Sequence, residues 1–248
     1  MAVAYDAGSE SHTGVAGSIS EASFTWNHTP AGTPRGVLIF VMTLNTAVDK
    51  ISSVTYDGVA VPAVSGGAAV IDATEAGRCQ AFFLGSSVPT TSPAAVVVNR
   101  TNDTAELYAV CITVTAAGDT EVNTAGIVLL QTTATVAEQN VDDGSPGTNS
   151  VRFAGAFSGR GGPTADVGAN STEVHFLDSG SIDGRVVRET TAGQGSRPVG
   201  FAIGSSDEIA AVHLAVREIA VATAVLAFAA RMNAAANPPR GAWRVVAY

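Results

Sequence analysis

The stretch Ile51-Ser-Ser-Val-Thr-Tyr-Asp-Gly-Val-Ala-Val61 narrows the folds open to this chain more than any other segment. Val54 and Tyr56 lead into Asp57-Gly58, and Val59 and Val61 lead out. Asp-Gly between two alternating runs of β-formers predicts a tight hairpin, because glycine accepts the positive φ of a type I′ turn.

The same texture recurs along the chain. Val37-Leu-Ile-Phe-Val-Met-Thr-Leu44 and Leu107-Tyr-Ala-Val-Cys-Ile-Thr-Val-Thr115 are nearly continuous apolar runs, and the first predicts a central strand covered on both faces. Further strands are expected over Ser18–His28, Arg78–Gly85, Ala94–Asn99, Gly126–Val136, Ser150–Phe157 (broken at Gly155), Glu173–Leu177, Gly184–Thr190, Val199–Ile203 and Ala210–Val216. About a dozen short strands at close spacing predict an all-β antiparallel sandwich, jelly-roll-like, over residues 18–217. Residues 1–17, rich in Gly, Ser and Ala, read as an N-terminal arm or a loosely paired first strand. No fixed-period repeat argues for a propeller or solenoid.

The C-terminal segment 218–248 is different in kind. Ile219 to Ala236 is dominated by alanine, which favours helix, while its Val and Thr leave strand open. Asn237-Pro238-Pro239 stops any helix. The segment is read as an extension that docks on the sandwich or on a neighbouring subunit. Leu226, Phe228, Trp243, Val245, Val246 and Tyr248 are its expected interface residues.

Bulk properties restrict function more than they suggest it. The net charge is −9, with one lysine, Lys50, among 13 basic residues, so a phosphate backbone is an unfavourable partner. Only 14% of residues are charged, which suits a surface hidden against neighbours. The start lacks a basic region followed by an apolar one, and the longest uncharged apolar run, Ile219 to Ala230, is too short to span a bilayer. The expectation is a product made in a cytoplasm, with no membrane span. Cys79 and Cys111 lie in apolar runs and are expected as buried thiols.

No catalytic motif of the nucleophile-elbow, zinc-protease or P-loop kind is present. Gly193-Gln-Gly195 runs into Ser-Arg-Pro rather than a third glycine and a helix, so it reads as a loop. His12, His28, His175 and His213 are scattered and read as surface or interface residues, although a distant pair could meet and bind metal. His175 and Glu173 are expected on one strand face. Asp142-Asp143-Gly144, Asp166, Asp178 and Asp183 read as turn residues, with loop-bound calcium as the alternative. Trp26 shares a face with Phe24 and reads as core rather than as a sugar-stacking platform. No catalytic, cofactor or metal residue is assigned.

Four segments together resemble a known module: Gly36-Val-Leu-Ile-Phe-Val, the Ile51–Val61 hairpin, Gln80-Ala-Phe-Phe-Leu-Gly-Ser-Ser-Val-Pro, and Ala109-Val-Cys-Ile-Thr-Val-Thr. They look like a β-sandwich module of tailed-bacteriophage virion proteins that also occurs in some bacterial surface proteins. Glu208-Ile-Ala-Ala-Val-His-Leu-Ala-Val216 is similar to that module's last strand, and the segment from Val221 onward departs from it. The resemblance implies a non-enzymatic structural protein of the virion, either a capsid decoration (cement) protein or a tail or baseplate component. Its implied partners are other capsid or tail subunits and further copies of itself. The alternative is a glycan-binding adhesion module that recognises a host surface.

Overall fold

A computed structural model describes residues 3–15, 22–44, 46–71, 76–101, 106–144, 150–158, 167–178 and 183–219. The expected interface residues Leu226, Phe228, Trp243, Val245, Val246 and Tyr248 lie outside the described residues, as does Asp166. No described residue is α-helical, and the chain is all-β with antiparallel pairing throughout.

The strands are β1 (Ala4–Tyr5), β2 (Ser11–Val15), β3 (Ser23–His28), β4 (Gly36–Leu44), β5 (Ile51–Tyr56), β6 (Val59–Ala60), β7 (Ala63–Ile71) and β8 (Gly77–Leu84). There follow β9 (Ala94–Arg100), β10 (Leu107–Thr115), β11 (Thr120–Val122), β12 (Val128–Asp142), β13 (Val151–Ser158), β14 (Ser171–Asp178), β15 (Asp183–Glu189) and β16 (Ser196–Glu218). Sheet A runs β1-β10-β4-β8-β7, with β2 also on β10. Sheet B runs β3-β9-β5-β6. Sheet C runs β11-β16-β13-β15-β14, with β12 also on β16.

Sheet A is the middle layer of three, and the alternation of its side chains shows why. Val37, Ile39 and Val41 of β4, with Phe82 and Leu84 of β8 and Leu107, Ala109 and Cys111 of β10, pack against Phe24, Val54, Tyr56, Val96 and Val98 of sheet B. The intervening Leu38, Phe40, Met42, Cys79, Phe83, Tyr108, Val110 and Ile112 pack against Val151, Phe153, Phe157, Val186, Val212 and Leu214 of sheet C. A strand buried on both faces must be apolar at both parities, which is why β4 and β10 are almost unbroken apolar runs. The two free thiols sit on opposite faces of this sheet.

Asp57 and Gly58 both adopt positive φ, at 49° and 78°, as a type I′ turn requires. Of the two readings of the N-terminus, residues 3–15 take the paired one, because β1 and β2 both bond to β10. β7 is a strand that the sequence hides: Gly66 and Gly67 interrupt its pattern, and its pairing with β8 slips between Ala63 and Ala68.

Two expected breaks are absent. Val199–Ile203 and Ala210–Val216 belong to one strand, β16, which bends with β12 where their register shifts between Ala134 and Val136. The bend lays Ala137, Val141, Val199 and Phe201 over Ala154, Ala156 and Val187 on the outer face of sheet C. Gly155 lies within β13 and does not interrupt it. A Cβ there would come within 2.3 Å of the Phe40 ring, so glycine makes room for an aromatic ring from sheet A. Gly155→Ala is therefore expected to overpack this interface and cost roughly 2 kcal/mol. Calorimetry should show this as a melting temperature about 4–8 °C lower.

Candidate functional site

The densest polar chemistry among the described residues lies at one end of sheet C, around Arg152. This residue stands near the start of β13 and is fully buried. Its Nε donates to the Val141 carbonyl at 2.9 Å. Nη1 donates to both carboxylate oxygens of Glu189, at 3.0 and 3.1 Å, and to the Gly193 carbonyl at 3.1 Å. Nη2 donates to the Gly195 carbonyl and lies 3.5 Å from the Asp143 carboxylate. The guanidinium fork thus meets five groups from three other chain segments, a geometry that lysine lacks.

Asp143 and Glu189 are almost as buried as the arginine. Asp143 also accepts from Ser150 Oγ at 2.9 Å and from the Gly195 amide at 3.2 Å. Asp142 accepts from the Gly144 amide, forming a local turn. The acidic turn and the Gly193-Gln-Gly195 loop therefore meet, with a guanidinium between them where the calcium alternative would place an ion. Among the described residues no group of three or more His, Cys, Asp or Glu side chains is arranged to hold a metal ion.

Two of the four histidines depart from expectation. His28 and His213 are fully buried, not on the surface. His213 fits between small neighbours, Ala211 and Ala215, and its ring nitrogens face the carbonyls of Ala137, at 2.9 Å, and Val128, at 3.3 Å. It thereby ties both arms of the bent β12 to β16. Burial holds its pKa below the usual imidazole value against the pull of those carbonyls.

His28 Nδ1 lies 2.7 Å from Ser11 Oγ, which also accepts from Trp26 Nε1 at 2.9 Å. Ser11 Oγ thus bridges the indole and the imidazole, and His28 Nε2 is buried with no hydrogen-bond partner. Trp26 packs beside Phe24 on the core between sheets A and B.

His12 and His175 meet from different sheets, with ring centroids 3.8 Å apart and planes tilted by 27°. Face-to-face rings direct their lone pairs along nearly parallel planes, which is poor geometry for chelating one ion. A bulge in β14 creates the meeting: Glu173 pairs with Val187 while His175 pairs with Val186. Glu173 and His175 therefore do not share a face, since they oppose successive residues of β15. Glu173 instead binds Arg185, at 2.6 Å.

One open groove of ≈ 330 Å³ lies between sheets A and C. Ser65, Ser86, Ser87, Thr124 and Glu121 line it, together with Phe83. Its hydroxyls suit a polar ligand.

The Arg152 cluster had no signal in the sequence, because its members are spread from Val141 to Gly195. Arg152→Met should cost about 3–5 kcal/mol, since two buried carboxylates would lose their cation. In chemical denaturation the gap to wild type should narrow from pH 7 to pH 5. Burial already raises the Glu189 pKa against the pull of Arg152, so without the guanidinium the folded variant would take up a proton on Glu189 before the unfolded chain does. No protein-family model matches the chain, and neither a characterised protein nor a solved structure matches it.

Proposed function

We propose that this chain is a non-enzymatic structural protein of a bacteriophage particle, acting through subunit–subunit contacts. It would serve as a capsid decoration protein or as a tail or baseplate component. One observation carries this reading. Two sheets end in a strand whose outer edge has no strand partner among the described residues, β3 in sheet B and β14 in sheet C, while β7 of sheet A already gives its Val70 amide to Gln131 Oε1 of β12. Such edges offer backbone N–H and C=O groups to a neighbour's strand without special chemistry. Two further facts support it. Charged residues are only 14% of the chain, and some of those charges are spent inside the Arg152 cluster. The four segments that resemble the virion module supply β4, β8 and β10 of sheet A and the β5–β6 hairpin of sheet B.

Glycan binding is the second reading, and the hydroxyl-lined groove beside Phe83 favours it. Trp26 does not, because its indole N–H is engaged and its ring packs on the core.

The mass of the purified chain in solution, full length beside a version ending at Ala220, tests the proposal. The expected result is a trimer or larger oligomer that falls to monomer on truncation. Monomers in both cases, with no binding to purified phage heads or tails, would remove it. Glycan-array binding lost on substitution in the groove would move the assignment to the second reading.

A further inference from the structure

β2 touches all three layers. Its backbone pairs with β10 at the edge of sheet A, from Leu107↔Val15 to Cys111↔Ser11. Its successive side chains then reach the two outer sheets. Ser11 joins Trp26 and His28 of β3 in sheet B. His12 stacks on His175 of β14 in sheet C. Each of these two pins ends on an imidazole.

We propose that residues 3–15 form an acid-releasable clip, in which protonation of the imidazoles on both sides of β2 detaches this segment from β10 while the three sheets stay folded. This inference stands apart from the proposed virion role and would hold for any assembly.

On the sheet C side, protons on both rings would bring two like charges face to face at 3.8 Å, partly out of water. Tyr108 on β10 lies beside both rings, and the charges of Glu173 on β14 and Glu10 ahead of β2 act on His175. Glu173 is engaged by Arg185, and Glu10 by the Tyr5 hydroxyl, whose ring lies under Arg188. Tyr108 is buried, with its hydroxyl unpartnered. Burial, then the His12 charge, holds His175 below the ordinary imidazole value, against the pull of Glu173 and Glu10.

On the sheet B side, His28 is enclosed by Ser11, Trp26 and Tyr56, whose ring lies 5.8 Å away, with Asp6 and Glu10 further off. The Asp6 carboxylate is already held by the amides of Ala31 and Gly32 and by the Thr113 hydroxyl. An imidazolium here would carry a second N–H with no acceptor. Burial lowers the His28 pKa to about 4, against Asp6 and Glu10.

Both folded values lie below that of a free imidazole, about 6.5. The clip is therefore at full strength above pH 6.5. It weakens as pH falls toward 4, because the released state binds protons on His28 and His175 that the clipped state excludes. His213 adds a similar acid sensitivity to sheet C, so the readout must be local.

Hydrogen exchange on the full-length chain provides it, as protection factors at pH 7.5 and pH 5.0 for peptides within 3–15 and within 78–84, on a strand whose neighbours β4 and β7 carry no histidine. The expected result is at least a tenfold loss of protection in 3–15 at pH 5.0, with 78–84 unchanged. In the double variant H12Q/H175Q the loss should shrink, since only the His28 side then responds to acid. H12Q alone, at an exposed position, should also reduce the loss and serves if the double variant does not fold. Equal protection of 3–15 at both pH values would overturn the clip. So would joint loss in both segments, or a variant that releases like wild type.

Discussion

The rest of the structure depends on burying sheet A on both faces. A two-layer sandwich lets each strand spend half its positions on water, whereas a middle layer does not. β4, β8 and β10 supply apolar side chains at both parities, one set to each flanking sheet. Polar chemistry is thereby driven to sheet ends, edges and the outer layers. The close fit on the sheet C side follows as well. Phe40 lies against the bare backbone of Gly155, and Tyr108 against that of Gly184, so two aromatic rings fit between sheets without separating them.

The charges that are buried occur where chain segments must be tied together. Arg152 gathers the end of β12, the start of β13, the end of β15 and the loop before β16. Asp6 does the same on a smaller scale for the N-terminal segment, accepting from Ala31, Gly32 and Thr113. Such groups add little net stability over an apolar replacement, but removing one partner is costly. They select one arrangement of loops. His213 acts alike with backbone carbonyls, fixing the bend of β12 over the outer face of sheet C.

Much of the strand layout could be read from the sequence. β10 falls where its apolar run predicts, β4 within one residue of it, and the Asp57-Gly58 hairpin takes the turn its residues demand. These features are local or periodic, so neighbouring residues carry the information. β7 escaped because two glycines and a register slip erase its alternation. The continuity of β16 escaped because a bend under tertiary load resembles a turn in one dimension. His28 and His213 were misplaced for a related reason. A lone imidazole among alanines gives no sign of whether carbonyls wait for it, and His213 finds two.

The sequence by itself determined the all-β class, the hairpin, the doubly covered central strands and the buried thiols, because period and turn chemistry express them within a few residues. Only the tertiary structure decided which side chains meet. Arg152 finds Asp143 and Glu189, Ser11 finds His28, and His12 finds His175. Each meeting joins strands far apart in the chain or brought together by layer stacking. The bulge in β14 adds one residue to one strand and turns His175 toward its partner. Contacts of this kind arise from register and layer order, which are set by the packing of whole sheets and not by any short run of residues.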